Sequence, residues 1–213
     1  MTLLGILRIG DFTMTNFNYD CIKSDCSRDE ILSRMQDTLS DFRYTHCLRV
    51  EKVSRGLAAE FGGDVDRAGL AGLLHDYAKE RSDQEFIDVI KNKKLDPELL
   101  HYNNAIWHGI VGAEIIKDEL GIYDEDVLNA IRRHTVGSTT MTQVDKCVFV
   151  GDFIEPNRDF PGIDKAREYA KKSLDSAVTF ELKHSVQHLV DKNREIYPAT
   201  FVSYNYWISK GEL

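Results

Sequence analysis

Apolar residues at helical spacing, each series ended by glycine, limit the fold of this chain more than any other feature of its sequence. One series ends at Gly62-Gly63, and its apolar positions are Val50, Val53, Leu57, Ala58 and Phe61. A second ends at Gly121, and its positions are Ile106, Ile110, Ala113, Ile116 and Leu120. Spacing of three and four residues puts these side chains on one helix face, and glycine favours the position just past a helix end. The two series therefore predict two amphipathic helices.

Helix starts are marked in the sequence as well. Ser27 with Glu30, and Ser82 with Glu85, match the capping box, in which a serine hydroxyl and a glutamate carboxylate each bind a free amide at the start of a helix. Asp96-Pro97 places an N-cap residue before a proline at the first helical position. We expect further helices at about 65–78, 124–135, 142–155, 163–196 with a break, and 199–208.

One short segment is ambiguous between helix and strand. The β-branched content of residues 147–150 would suit a strand, but no second strand candidate exists to pair with it. The predicted fold is therefore all-α, a helical bundle. Because no Pro/Gly/Ser linker divides the chain, we expect one domain at 27–213, preceded by a loosely ordered arm at 1–26. Met14 is an alternative start of translation, and in that case residues 1–13 would not belong to the natural protein.

Composition and charge exclude several classes of protein. The chain has 213 residues and 42% are hydrophobic, which is enough for a sizeable core and excludes a disordered chain. Its formal net charge of −8 argues against broad binding to nucleic acid or to an anionic membrane, while a local basic pocket is still allowed. Four cysteines without CxxC spacing, and no secretory signal, predict free thiols in a cytoplasmic protein.

Six residues carry the chemistry that the sequence predicts, and they fall on five different predicted helices or helix ends. They are His46, the adjacent pair His75-Asp76, His108, His134 and Asp152. In a helical bundle, successive helices can each send one such side chain inward, as bundle-core metal sites do. Imidazole and carboxylate without thiolate suit iron, manganese, zinc or nickel.

The pair His75-Asp76 ends the small-residue and leucine-rich stretch 68–74, which predicts a helix buried on all sides. Burying an adjacent histidine and aspartate is costly unless a partner neutralises and bonds them, and a metal ion does both. A single histidine is more often a hydrogen-bonded core or surface residue. Six such residues arranged in this order favour a metal centre instead.

The order of these residues resembles the HD-domain superfamily of metal-dependent phosphohydrolases. The blocks at 74–79, 107–113, 130–137 and 151–162 are similar to the YqeK-like branch, the symmetrical diadenosine tetraphosphate hydrolases of bacteria. The similarity runs from about Ser27 to about residue 205, so it leaves the arm unexplained. It implies cleavage of diadenosine tetraphosphate into two ADP by a metal-bridging hydroxide that attacks an internal phosphate.

Carried onto this sequence, the resemblance implies a centre of two divalent metal ions, iron in the first place, with manganese or another transition metal as the alternative. His46, His75, Asp76 and Asp152 would hold one ion, and Asp76 would bridge to a second ion held by His108 and His134. Two ions activate water and polarise a phosphoryl oxygen. Because Asp76 would join the two ions, the resemblance implies that it is a catalytic residue.

Three further residues are candidates for holding the phosphates of a nucleotide substrate. Lys79 is the first, in a catalytic and a binding role, and Arg158 is the second. Alternatively, Lys79 is a solvated lysine beside Glu80, and Arg158 is a loop arginine paired with Asp159. Thr135 could bind a phosphate or bond back to a backbone carbonyl.

Two further carboxylates and three further histidines receive a less specific interpretation. Asp145 and Glu155 could orient ligand histidines or face solvent. His101, His184 and His188 fall outside the matching blocks, so we expect surface residues there.

Three alternative functions remain open at this point. They are an HD-domain phosphohydrolase acting on another nucleotide (a nucleoside monophosphate, a nucleoside polyphosphate or a cyclic dinucleotide), a diiron oxygenase, and a nucleotide-sensing module. We expect neither nucleic acid nor membrane as a partner, and the sequence leaves open whether the chain forms a homodimer.

Overall fold

The computed structural model describes Tyr19, Ile22 and residues 24–211 of this protein. Over that part of the chain it contains α-helices, one short 3₁₀ helix at Pro97–His101 and no β-strand, which confirms the all-α prediction. The helices are α1 (Arg28–Thr38), α2 (Asp41–Phe61), α3 (Val65–Leu74), α4 (Asp83–Asn92), α5 (Asn104–Ile110), α6 (Gly112–Leu120), α7 (Glu125–Arg133), α8 (Gln143–Ile154), α9 (Ile163–Lys172), α10 (Leu174–Asp191) and α11 (Pro198–Ile208).

The helix-end signals in the sequence act as predicted. Ser27 and Ser82 form complete capping boxes at the starts of α1 and α4. Gly62 and Gly121 end α2 and α6 in the left-handed region, at φ values of 77° and 63°. These positions suit glycine because a side chain is strained at positive φ.

Several predicted segments differ in detail from the observed helices. The apolar series that ends at Gly121 forms two helices, α5 and α6, separated at Val111. The backbone of Val111 stays in the right-handed helical region, so the helical spacing of apolar residues continues across the break. The segment 163–196 divides at Ser173, which caps α10. Residues 147–150 are helical and lie in α8.

Close approach of three helices builds the part of the core that carries the site. α2 packs against α3 and α8, and α3 packs against α7 and α8. Gly72 of α3 and Gly151 of α8 both face Ser54 of α2, where a Cβ atom would lie 2.8 Å and 2.6 Å from the serine Oγ. Gly72 precedes His75 by one turn, and Gly151 directly precedes Asp152. These contacts therefore also position the side chains of His75 and Asp152.

The expected loose arm at 1–26 falls largely outside the described residues. Of its described positions, Tyr19 and Ile22 are buried, and the Tyr19 hydroxyl donates a 2.6 Å hydrogen bond to Glu51. The backbone amide of Asp25 donates to the carbonyl of Leu120. Within the described part of the chain, no helix has both the length and the apolar character needed to cross a bilayer.

Candidate metal centre

The fold brings all six residues singled out by the sequence into one cluster. They come from five places in the bundle: α2 gives His46, the end of α3 gives His75 and Asp76, α5 gives His108, the end of α7 gives His134, and α8 gives Asp152. The four histidines and Asp76 are buried, and Asp152 is partly exposed at one edge. Residues that are far apart in sequence therefore form one compact group of potential metal ligands.

The carboxylate of Asp76 lies between two groups of ligands. Its Oδ2 is 3.4 Å from Nε2 of His75 and 3.8 Å from Nε2 of His46. Its Oδ1 is 3.4 Å from Nε2 of His108 and 3.9 Å from Nε2 of His134. The two oxygens of one carboxylate therefore face two different histidine pairs.

Asp152 completes the first of these groups. Its Oδ1 lies 3.0 Å from Nε2 of His46 and 3.8 Å from Nε2 of His75. The first group therefore contains two imidazoles and two carboxylates, whereas the second contains two imidazoles and the shared Asp76.

Hydrogen bonds on the far side of each ring fix the imidazole tautomers. Nδ1 of His75 lies 2.8 Å from the carbonyl of Gly72, and Nδ1 of His134 lies 2.7 Å from that of Ile131. Nδ1 of His108 lies 2.6 Å from the carbonyl of Asn104. Because a carbonyl only accepts, each Nδ1 carries the proton and each Nε2 presents a lone pair to the cluster.

His46 follows the same rule with a carboxylate partner. Its Nδ1 lies 3.2 Å from Oε1 of Glu155, and the other oxygen of this carboxylate, Oε2, accepts a 2.6 Å hydrogen bond from Nε of Arg49. Glu155 is therefore buried beside the His46 ring and does not face solvent, so it is placed for the orienting role considered for it. Asp145, in contrast, caps α8 and pairs with Arg133, so it contacts no histidine of the cluster.

These contacts test whether the residues suit a metal ion. Nε2 of His46 and Nε2 of His75 are 3.2 Å apart, and Nε2 of His108 and Nε2 of His134 are 3.0 Å apart. With both protons on Nδ1, neither pair can form a hydrogen bond, whereas a cation between them would satisfy both lone pairs. Four imidazole nitrogens and two carboxylates are donors that transition metals accept, so the residues fit divalent metal ions.

The protonation states of Asp76, His108 and His134 also suit metal ligands at neutral pH. Burial, the nearby Lys79 and His134 hold the pKa of His108 well below its usual range, and burial together with His75 lowers the pKa of His134 to about 4. Burial opposes ionisation of Asp76, but His75, His108 and Lys79 outweigh it and keep the pKa of this carboxyl well below its usual value. The second histidine pair is therefore neutral and the central carboxylate is charged.

Cationic side chains surround the cluster. Nζ of Lys79 lies 3.9 Å from Oδ1 of Asp76, and Arg158 pairs with the carboxylate of Asp152 rather than with Asp159. Burial lowers the pKa of Lys79. Arg43, which the sequence analysis did not identify, donates a 2.5 Å hydrogen bond to Oδ2 of Asp76.

The spacing of Arg43 from His46 was a sequence signal that could have identified it. Arg43 lies three residues before His46 on the same predicted helix, and residues at this spacing share one helix face. Thr135, which the sequence analysis did identify, has its Oγ1 3.1 Å from Nε2 of His108 and 3.0 Å from Nε2 of His134. Both residues therefore contact the cluster directly.

A cavity of about 830 Å³ opens from the edge of the cluster, where Asp152, Thr135 and Arg158 form part of its wall. His101, His184 and His188 also line it. His101 and His188 are exposed, in keeping with the expected surface position, but His184 is half-buried among aromatic rings. Cavities of this size hold small organic ligands.

Comparisons with known proteins agree with this geometry. The family model for the HD domain matches residues 43–200. A symmetrical bis(5'-nucleosyl)-tetraphosphatase of Bacillus subtilis (strain 168) is 39% identical over 183 residues, covering 86% of this chain and 98% of the relative. A protein of the same name from Halalkalibacterium halodurans is 39% identical over 179 residues, covering 84% and 96%.

A solved structure extends the likeness to the fold. The crystal structure of a predicted HD superfamily hydrolase involved in NAD metabolism from Clostridium acetobutylicum superimposes with a TM-score of 0.82 at 34% identity. The match covers 87% of this chain and 98% of that one.

Proposed function

This chain belongs to the HD domain family, and we propose that it is a hydrolase that cleaves diadenosine tetraphosphate symmetrically, giving two molecules of ADP. One observation of the structure carries the proposal: the carboxylate of Asp76 lies between two histidine pairs, in a cluster whose neighbours Asp152 and Thr135 line a cavity large enough for a nucleotide. The relatives that bear the name of this activity match nearly their whole length, so the match is not confined to a shared fold.

We propose that the cluster holds two divalent metal ions, iron in the first place. His46, His75, Asp76 and Asp152 would hold one ion, and His108, His134 and Asp76 would hold the other. When bound, such a pair of ions supplies an activated water and a positive field for the phosphoryl oxygens. The chain's own part is to keep His108 and His134 neutral, to orient the four histidines through Nδ1, and to keep both carboxylates ionised.

Lys79, Arg158 and Thr135 are proposed to hold the phosphates. Tetraphosphate carries several negative charges, and cationic groups next to the reacting phosphate stabilise charge that develops during its transfer. Lys79 and Arg158 already lie beside the two carboxylates of the cluster. Thr135 adds a hydroxyl where the cluster meets the cavity.

Another nucleotide is the alternative substrate, because one fold supports several substrates in a superfamily. Nucleoside monophosphates, other polyphosphates and cyclic dinucleotides all present a phosphate that this cluster could receive. The substrate's chemistry also leads us to propose a cytoplasmic site of action, where nucleotides are made and consumed.

The test is to incubate the purified protein, loaded anaerobically with ferrous iron, with diadenosine tetraphosphate and to separate the products by ion-exchange chromatography. We expect ADP as the sole product. Asp76→Asn, which nearly preserves the shape of the side chain, removes the charge between the two histidine pairs, so we expect it to abolish turnover.

Glu168→Gln, in α9 and away from the cluster, is the matched control that changes one carboxylate without effect on turnover. AMP together with ATP would contradict symmetrical cleavage. Full activity in Asp76→Asn would contradict the proposed centre. Turnover of another nucleotide but not of diadenosine tetraphosphate would favour the alternative substrate.

A further inference from the structure

Part of the cavity wall beside the cluster is built from aromatic rings. Phe153, Phe160 and His184 form a mutual contact group, with ring centroids 4.8 Å apart for Phe153–Phe160, 5.5 Å for Phe153–His184 and 5.2 Å for Phe160–His184. All three residues line the cavity, and each is only half-buried. We call this group the aromatic wall.

The register of α10 directs His184 to the cavity. Ser185, His188 and Leu189 line the same cavity, at positions one, four and five residues after His184. Val178 and Leu182, on another face of the helix, are buried in the core. One face of α10 is therefore a cavity wall, and the ring of His184 is part of a surface rather than of the interior.

The aromatic wall begins where the proposed metal centre ends. Phe153 directly follows Asp152 in α8, and Arg158, which lies between Phe153 and Phe160 in sequence, pairs with the carboxylate of Asp152. The same cavity is therefore lined by a carboxylate of the cluster, by a guanidinium and by aromatic rings. A nucleotide presents groups that match both kinds of lining, with charged phosphates at one end and a flat base at the other.

We propose that Phe153, Phe160 and His184 hold a purine base of the substrate, with the phosphates of the same nucleotide extending past Arg158 to the cluster. This inference rests on the proposed function, because it concerns one half of the same dinucleotide. Base stacking on aromatic side chains tolerates different bases, since every base has a π-face. The wall supplies affinity for the base, and the cluster supplies the chemistry.

The same contact bears on which bond is cut. A base held at a fixed place limits which phosphate of the attached chain can reach Asp76 and Asp152. In symmetrical cleavage that phosphate is always at the same distance along the chain from the base. Loss of the stacking contact therefore allows the tetraphosphate to shift along the cluster.

Binding measurements on the metal-loaded protein test the wall without requiring turnover. Calorimetry would give the Kd of ADP and of pyrophosphate for the wild type, His184→Ala, His184→Phe and Gln187→Ala. Gln187 is exposed on the same helix, so its variant is the matched control. We expect His184→Ala to weaken ADP binding about tenfold, within the range measured for loss of one base-stacking side chain.

The His184→Phe variant separates base stacking from other roles of His184. His184→Phe should bind ADP within about threefold of the wild type, because it restores an aromatic face. None of the variants should change the Kd of pyrophosphate. Equal weakening of ADP and pyrophosphate by His184→Ala, an unchanged Kd of ADP, or no ADP binding by the wild type would each overturn the inference.

Product analysis tests the effect on the site of cleavage. We expect the wild type to give ADP alone and His184→Ala to give AMP and ATP beside ADP. ADP alone from a variant that binds ADP weakly would refute the role of the wall in placing the cut. If the wild type binds ADP through the wall but leaves diadenosine tetraphosphate intact, the proposed function fails while the base site stands.

Discussion

Replacing Gly151 by alanine tests the claim that close helix approach positions the cluster. An ideal Cβ at Gly151 would lie 2.6 Å from Oγ of Ser54, and the next nearest atom, the backbone nitrogen of Ser54, is at 3.5 Å, an ordinary contact. The clash therefore involves one atom. Ser54 is fully buried, and its Oγ has no hydrogen-bond partner in the described structure, so the Ser54→Ala change removes the clash without breaking a hydrogen bond.

Two opposing terms determine how much Gly151→Ala changes the free energy of unfolding. Alanine is more favourable than glycine inside a helix by about 1 kcal/mol, whereas overpacking a core costs about 1–3 kcal/mol. Gly151→Ala alone should therefore lower the free energy of unfolding by roughly 0–2 kcal/mol. In the Ser54→Ala background the steric cost is absent, so the same change should raise the free energy of unfolding by about 1 kcal/mol.

Urea denaturation of the wild type, both single variants and the double variant would measure this coupling. A chelator in every sample keeps metal binding from contributing to stability. We expect a coupling of about 1–3 kcal/mol between the two positions, which is the steric term itself. Activity should fall in Gly151→Ala, because Asp152 is displaced, and recover in the double variant. Additive effects, equal to the sum of the single changes within about 0.5 kcal/mol, would refute the reasoning.

Three other changes test the surroundings of the cluster. Glu155→Gln should weaken metal binding about 10- to 100-fold, because it removes the carboxylate that orients His46, and activity should return at high metal concentration; unchanged affinity in a metal titration would contradict this. Lys79→Ala should lower turnover while metal content is retained, so loss of metal together with turnover would show that Lys79 supports the centre instead. Burial and Asp152 raise the pKa of Glu181, so the folded chain keeps a proton that the unfolded chain releases, and stability falls as pH rises above the ordinary carboxyl range. The stability advantage of Glu181→Gln over the wild type, measured by denaturation, should therefore grow between pH 5 and pH 8, and a constant difference would contradict this.

Helix ends were predictable from the sequence because capping is local. The boxes at Ser27 and Ser82 and the stop at Gly62 depend only on residues within one turn, and all three are observed. The separation of α5 from α6 at Val111 was not predictable in this way, because the spacing of apolar residues and the backbone conformation both continue through it.

The six residues of the cluster were predictable because their types and order are distinctive, while the packing around them was only partly predictable. Two of the ring neighbours of His184, Phe153 and Phe160, lie more than twenty residues away in sequence, whereas the sequence predicted a surface residue at His184. Contacts between Gly151 and Ser54 likewise depend on how α2 and α8 cross. Long-range packing of this kind has no local sequence signal.

Metal stoichiometry is the most direct measurement of the central claim, that Asp76 joins two metal sites in one cluster. The protein would be loaded anaerobically with ferrous iron, freed of excess metal by gel filtration and analysed for metal per chain. The account predicts two ions per chain in the wild type, both retained in Glu168→Gln, and fewer than two in Asp76→Asn. Two ions in Asp76→Asn, or no ion in the wild type, would contradict it.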